Sequence, residues 1–436
     1  MVKKLKFQEP AGMHDILPAE QKYFQKVLNI CEDMVDFYGF QKIETPILEE
    51  TELFSKGTGL STEIVQKQMY SLRTKGGDYL TLRPEFTPGV IRAYVEHGMK
   101  NLSQPVKLFS FGPLFRYEHS QAGRYRQFHQ FNLEVIGEGG SIIDAQVIQI
   151  FYNILRELKL KDLIIEINSI GDSQCRPYYK KLLVSYFRAR EAALCVDCRR
   201  RLRENPLRVL DCKEEKCQRI VSQAPQLIDH LCEECHHHFK GVLELLDEAG
   251  IPYRLNPYLV RGLDYYTKTV FEIFSQEQKK GEDEKEVIVK NAFCGGGRYD
   301  NLVKLLGGED TKAAGGALGI ERVIATLKER EIKFPKGAGP QIFLAQLGTM
   351  AKRKSLKLLE DFRQEKILVG ESFGKDSLKA QLRIADKMGV KYTLLLGQRE
   401  ALEETVLIRD MQTGKQETVK LEKIVKEMKK RLKRSL

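Results

Sequence analysis

Apolar positions at three-to-four spacing, Phe24, Val27, Leu28, Cys31, Val35 and Phe37, predict a helix over 19–38 that Gly39 stops. GFQKIETPILEE (39–50) then reads as a strand interrupted at Pro46, which suits a sheet edge or a subunit interface better than a central position. Residues 68–97 read as a hairpin with a GGD turn at 76–78, a strand to Arg83, and a helix entered through Thr87 as cap and Pro88 at the first helical position. SFGPLFRYEHSQAGRYRQFHQFNLEVI (110–136) predicts two antiparallel strands joined by a long loop from Glu118 to Gly123. One side of that pair carries Arg116 and Glu118 going in, and Arg124, Arg126, Gln130 and Glu134 coming out. Such a face cannot be a dry core. It fits either a solvated sheet face or a sheet floor that holds a charged ligand. A helix at 142–159 and a buried strand, LIIEINSIGD (163–172), follow.

The pattern changes over 173–250, which is helical and basic and reads as an inserted subdomain. It carries Cys195, Cys198, Cys212, Cys217, Cys232 and Cys235. CVDC and CEEC are two C-x-x-C knuckles with 33 residues between them, and thiolates so arranged can share one tetrahedral zinc through Cys195, Cys198, Cys232 and Cys235. Reduced thiols on helices are the simpler alternative. The run His236–His238 reads as a solvated helix face. Core periodicity resumes at 251. LVRGLDYYTKTVFEIF (259–274) is a strand pair or bent strand bearing Arg261, Asp264, Tyr265 and Tyr266, and 276–286 reads as a charged, mobile hairpin loop. NAFCGGGRYDNLVKLLGG (291–308) reads as strand, triple glycine and helix start. AAGGALGIERVIATLKE (313–329) is a glycine-rich stretch before a helix with Arg322 in its first turns, where backbone N–H groups could face an anion. FPKGAGP (334–340) marks a linker. The remaining residues alternate strand and helix and close on a hairpin with a TG turn at 413–414 and a basic amphipathic helix.

Composition narrows the class. The chain has 436 residues, enough for two or three domains, with 42% hydrophobic and 30% charged residues, as in a globular enzyme. A net charge of +11 suits a polyanionic partner, nucleic acid being the commonest. The N-terminus lacks an apolar signal-peptide core and no run is long enough to span a membrane, so a cytoplasmic protein is expected, with its nine cysteines reduced or on metal. There is no G-x-x-x-x-G-K-[ST] loop, which argues against a P-loop nucleotide site.

FRYE (115–118), GRYRQFHQFNLEVIG (123–137), LVRGLDYYTKTVFEI (259–273), GGGRYDNLV (295–303) and GGALGIERV (315–323) together resemble the histidyl-tRNA synthetase family, with TLRPEFTP (81–88) and GFQKIETPILEE (39–50) in keeping. The resemblance implies an α+β fold: a class II synthetase antiparallel sheet flanked by helices over 1–330, interrupted by a helical insertion at 173–250, a linker at 331–340, and an α/β anticodon-binding domain at 341–436. It implies that histidine and ATP form histidyl-adenylate and pyrophosphate, and that the histidyl group passes to the 3′ end of tRNA(His), in a homodimer joined through 39–50 and the helix before it. Arg116 and Arg261 would be catalytic at the α-phosphate. Arg124 and Arg322 would hold the outer phosphates, with Mg²⁺, and Phe128 with Arg322 would sandwich adenine near Glu118. Glu85, Phe86, Thr87 and Gln130 would hold the amino-acid end of histidine, together with Arg116 and Arg261. Glu134, Tyr265 and Tyr266 would hold its imidazole. Gln121 would meet the tRNA acceptor end, and His119 stands where many family members carry a second arginine. The runner-up reading is the non-catalytic, synthetase-like regulatory subunit of ATP phosphoribosyltransferase; the C-terminal domain and the complete ATP-binding set argue against it.

Overall fold

The computed structural model describes residues 7–118, 124–280, 286–332, 334 and 339–434. The chain forms two compact units, Met1–Lys333 and Phe334–Leu436. Among the described residues, no helix is long and apolar enough to cross a membrane.

The first unit is built on an eight-stranded sheet. Its strands are β1 (Gln41–Lys42), β2 (Val106–Phe115), β3 (Gln127–Ile136), β4 (Leu163–Ser169), β5 (Tyr253–Leu255), β6 (Thr267–Lys280), β7 (Glu286–Arg298) and β8 (Ala313–Gly319). Their spatial order is β1-β2-β3-β8-β7-β6-β4-β5. All inner ladders are antiparallel, and the two short edge strands pair in parallel. The expected strand over 39–50 splits at Pro46, which has no N–H for a ladder. Gln41–Lys42 joins the large sheet, while Leu48–Glu50 joins a separate three-stranded sheet with Tyr70–Arg73 and Tyr79–Leu82.

Two glycine readings change. Gly295, Gly296 and Gly297 lie inside β7, and Gly315 and Gly316 lie inside β8, rather than at helix starts. They are required where strands and side chains crowd: a Cβ on Gly316 would meet the Phe151 ring at 2.8 Å, and one on Gly315 would collide with the Glu134 carboxylate. The reading of 276–286 as a loop changes too. β6 runs to Lys280 and β7 starts at Glu286, paired directly across, so the connection shrinks to 281–285, which lie outside the described residues. Helix Ser141–Glu157 covers the back of the sheet, with Phe151 against Phe271 at 6.4 Å between ring centroids. Burying each such ring contributes about 1.5–3 kcal/mol.

The insertion comprises Arg176–Arg188, Val196–Glu204, Glu215–Val221 and Glu233–Glu248, with 3₁₀ turns between them. The histidine run is not wholly solvated. His236 and His237 are exposed, but His238 is buried with its Nε2 3.4 Å from Asp144, because helical rotation turns it under the sheet-covering helix. The second unit is a five-stranded sheet in the order Val369–Glu371, Ile342–Gln346, Tyr392–Leu396, Thr405–Asp410, Gln416–Lys420. Its first three strands are parallel and the rest antiparallel. The terminal helix Leu421–Arg434 buries Ile424 and Met428 and leaves its lysines outward.

Candidate active site

The alternation in β3 sets the floor of the site. Phe128, Gln130, Asn132 and Glu134 share one face, while Phe131, Leu133 and Val135 point into the core. Gly112 of β2 stands opposite Gln130, and Gly315 of β8 stands opposite Glu134, so the floor is low on both sides. Above it opens a cavity of about 340 Å³. Glu85, Phe86, Thr87, Arg116, Glu118, Arg124, Phe128, Gln130, Arg261, Tyr265, Tyr266 and Arg322 all line it.

One end is cationic. Arg116 donates from Nε to the Pro84 carbonyl at 2.9 Å, and its guanidinium lies 5.3 Å from the centre of the Phe128 ring. Arg322 is fixed through Nη1 to the Ala292 carbonyl at 2.9 Å. Burial lowers its pKa, and the neighbouring Arg124 adds to that. Arg124 stands 3.7 Å from Glu118. Arg261 pairs with Glu272 through Nη1, while its buried Nε has no hydrogen-bond partner. Burial opposes the Arg261 charge, but Glu272 together with Tyr266, Tyr265 and Cys294 outweighs it and raises the pKa. Several guanidinium groups held on backbone and carboxylate anchors form a preorganised anion site.

The other end is acidic and nearly dry. Glu85 accepts from the Thr58 hydroxyl and, at 2.9 Å, from the Tyr265 hydroxyl. Burial pushes its carboxyl up, against the pull of those hydroxyls and Arg116. Burial also pushes Tyr266 up to about 12 and raises Tyr265 well above the usual tyrosine value. Glu134 does not line the cavity. It lies one layer beneath, accepting from Thr87 at 2.5 Å and from the Tyr299 hydroxyl, and burial pushes its carboxyl well above the usual range. Carboxyls whose pKa burial raises, beside buried tyrosine hydroxyls, form a pocket for a small cationic or hydrogen-bonding ligand.

Several residues stand elsewhere than the pattern suggested. Arg126 does not join the cavity; its guanidinium stacks 4.0 Å from the Tyr117 ring centre and its Nε donates to the Glu118 carbonyl. His119 and Gln121 lie outside the described residues. Cys195 and Cys198 gather with Cys212 and Cys217, whereas Cys232 and Cys235 gather with Asp172 and Cys175. The four thiols expected to share one ion therefore belong to two clusters, because the chain folds back on itself within the insertion before reaching Cys232. The pattern had not singled out Thr58, Glu272 or Tyr299. Glu272, a carboxylate inside the apolar run VFEIF, was the legible one. Thr58 left no signal.

A largely antiparallel sheet with an arginine-lined cavity over a floor that carries carboxylates is the arrangement expected of a class II aminoacyl-tRNA synthetase. The family model for histidyl-tRNA synthetase matches residues 12–323, and that for the anticodon binding domain matches 341–431. The chain therefore belongs to the histidyl-tRNA synthetase family. It is 42% identical to the histidine–tRNA ligase of Desulforamulus reducens over 95% of its own length and 97% of that protein's. It is 41% identical to that of Acetivibrio thermocellus over 97% and 99%. Among solved structures, apo histidyl-tRNA synthetase from S. aureus is 35% identical, with a TM-score of 0.79, covering 97% of this chain and 99% of that one. Both relatives are histidine–tRNA ligases, which are aminoacyl-tRNA synthetases.

Proposed function

We propose that this cavity forms histidyl-adenylate from histidine and ATP, releasing pyrophosphate, and that it then passes the histidyl group to the 3′-terminal ribose of tRNA(His). The observation that most supports this is the convergence of Arg116, Arg124, Arg261 and Arg322 on one end of a cavity whose other end holds Glu85, Tyr265 and Tyr266. Attack of the histidine carboxylate on the α-phosphate breaks the bond to pyrophosphate and builds charge on phosphate oxygens. Arg116 and Arg261 bear on that charge, and a fixed donor at such a position contributes about 3–4 kcal/mol. The unpartnered Nε of Arg261 is a donor held ready for this anion. Arg124 and Arg322 hold the outer phosphates, Arg322 and Phe128 enclose adenine, and Glu118 accepts from the nucleoside. Mg²⁺ arriving with ATP would neutralise the outer phosphates, and Glu272, a carboxylate on the cavity wall, fits such an ion.

Glu85, Thr87 and Gln130 take the α-amino group, with Phe86 packing beneath them. The arriving ammonium supplies the counter-charge that burial denies Glu85, so binding favours the carboxylate. Tyr266 takes one imidazole nitrogen at the cavity wall, and Glu134, one layer beneath, takes the other by turning toward the ring an oxygen now held by Thr87 or Tyr299, with Tyr265 beside them. A side chain lacking those nitrogens leaves buried polar groups unpaired, a discrimination of about 10⁴-fold. Gln121 and its loop meet the acceptor end of the tRNA, and the second unit reads the anticodon. Two copies join through 39–50 and the helix before it, where Phe37, Ile47 and Leu48 are exposed. The cytoplasm, where tRNA is charged, is the compartment this implies.

Amino-acid-dependent ATP–pyrophosphate exchange tests the reading. Exchange is expected with histidine and not with other amino acids. Histidine binding without exchange would overturn it in favour of a regulatory role.

A further inference from the structure

We propose that the insertion is a two-zinc module. One ion is held by Cys195, Cys198, Cys212 and Cys217, and a second by Asp172, Cys175, Cys232 and Cys235. In each set the four ligand atoms lie within 4.8 Å of one another, and all of these cysteines are free of disulfides.

The first site rests on its own geometry. Cys195 and Cys212 place their sulfurs 3.9 Å apart. A tetrahedron with Zn–S bonds of 2.3 Å has an edge of about 3.8 Å, so this is the spacing of two thiolates on one zinc and not of a disulfide. Backbone amides already point at the sulfurs: Cys198 N–H lies 3.3 Å from Cys195 Sγ, and Cys195 N–H lies 3.3 Å from Cys217 Sγ. Such bonds are the outer-shell support that a thiolate centre needs. Cys195 is also the cap of helix Val196–Glu204, whose N-terminus favours negative charge. The segment needs a cross-link. Its pieces, Val196–Glu204, Pro206–Asp211 and Glu215–Val221, span nine, six and seven residues, too short to hold themselves as isolated helices. A metal bound by the folded chain and not by the unfolded one supplies that stability.

The second site rests on a separate observation. Asp172 and Cys175 enter the insertion just after β4, and Cys232 and Cys235 open its last helix, Glu233–Glu248. Cys232 N–H lies 3.1 Å from Cys175 Sγ, while Asp172 Oδ1 accepts from the Gln174 and Cys175 amides. An ion there would tie the entrance of the insertion to its exit. It would also brace Arg176, next in chain to Cys175, which donates to the Tyr266 carbonyl at the edge of the cavity. The first site would hold the insertion together, and the second would hold its neck to the catalytic sheet.

The test is metal counting by mass spectrometry on full-length protein purified without added metal or chelator, before and after Cys198→Ser and Cys235→Ser, with circular dichroism to check folding. Two equivalents of zinc, one lost in each variant, are expected. One equivalent lost only in Cys198→Ser upholds the four-thiol site and overturns the second, and the converse does the reverse. Less than a tenth of an equivalent in the wild-type chain, or iron in place of zinc, overturns both. If a variant fails to fold, cobalt exchanged into the wild-type protein decides. Intense sulfur-to-cobalt charge-transfer absorption with tetrahedral ligand-field bands supports thiolate ligation, and its absence rejects it.

Discussion

Arg261, in the loop before β6, and Arg298, at the end of β7, are bound in opposite ways. Arg298 is fully buried, and all three of its nitrogens are taken: by Asp144 at 2.5 Å, by Asp300 at 3.1 Å, and by the carbonyls of Glu138 and Gly140. Arg261 keeps about a fifth of its side chain exposed, has Glu272 as its carboxylate partner, and leaves a buried Nε unpartnered. A buried charge with every donor satisfied has nothing left to offer a ligand, so Arg298 is a brace between the sheet and the helix that carries Asp144. A charge with a donor in reserve at the edge of a cavity is poised to gain a partner. Sequence places both inside segments that mark the family, so satisfaction of donors, and not family membership, separates the structural arginine from the functional one.

The same substitution at both positions puts that distinction at risk. Arg298→Met leaves Asp144 buried with only His238 near it, and should cost about 3–5 kcal/mol of stability in denaturant unfolding. Arg261→Met leaves Glu272, which is about a third exposed and can be solvated. Its unfolding midpoint should stay close to that of the parent, while histidine-dependent exchange falls about 10²–10³-fold. If Arg261→Met unfolded as readily as Arg298→Met, or if a folded Arg298→Met lost exchange equally, the two arginines would not differ in kind.

What was legible in the sequence follows the same line between local pattern and long-range assembly. The period-2 alternation of β3 put Gln130 and Glu134 on one face, and the structure keeps them there. Arg116, Glu85, Tyr266 and Arg322, scattered over more than two hundred positions, do meet at one cavity. That convergence could be anticipated from a family resemblance but not from spacing. Arg126 departs from the pattern because it precedes β3 and its guanidinium is held by the Tyr117 ring and the Glu118 carbonyl. The glycine stretches were misread because glycine signals turns locally, whereas here it answers a crowded neighbour that the sequence does not show: Phe151 for Gly316 and the Glu134 carboxylate for Gly315. The cysteines were grouped by motif likeness, C-x-x-C with C-x-x-C. The fold instead pairs each knuckle with residues chosen by chain reversal, among them Asp172 and Cys175, a D-x-x-C pair that a search for C-x-x-C passes over.

The smallest of the expected effects carries the comparison into pH. Burial raises the carboxyl pKa of Glu134, whereas at Asp144 burial is overcome by Arg298 and His238 and the pKa falls. The two therefore pull stability in opposite directions. For Glu134 the folded chain holds its proton longer than the unfolded one, so its contribution is present below the ordinary carboxylate range of about 4.3 and is lost as pH rises through the folded value. For Asp144 the contribution is present above the ordinary aspartate value of about 3.9 and is lost as pH falls. Glu134→Gln should leave stability unchanged at the acid end and flatten its decline toward neutral pH, followed by denaturant unfolding at a series of pH values in the absence of histidine. Saturating histidine should flatten the same decline in the parent chain, since a bonded imidazole gives the ionised carboxylate a partner. A Glu134→Gln variant with the parent's full slope would mean that Glu134 is already ionised in the folded chain. The contrast between a satisfied charge and a waiting one would then rest on Arg261 alone.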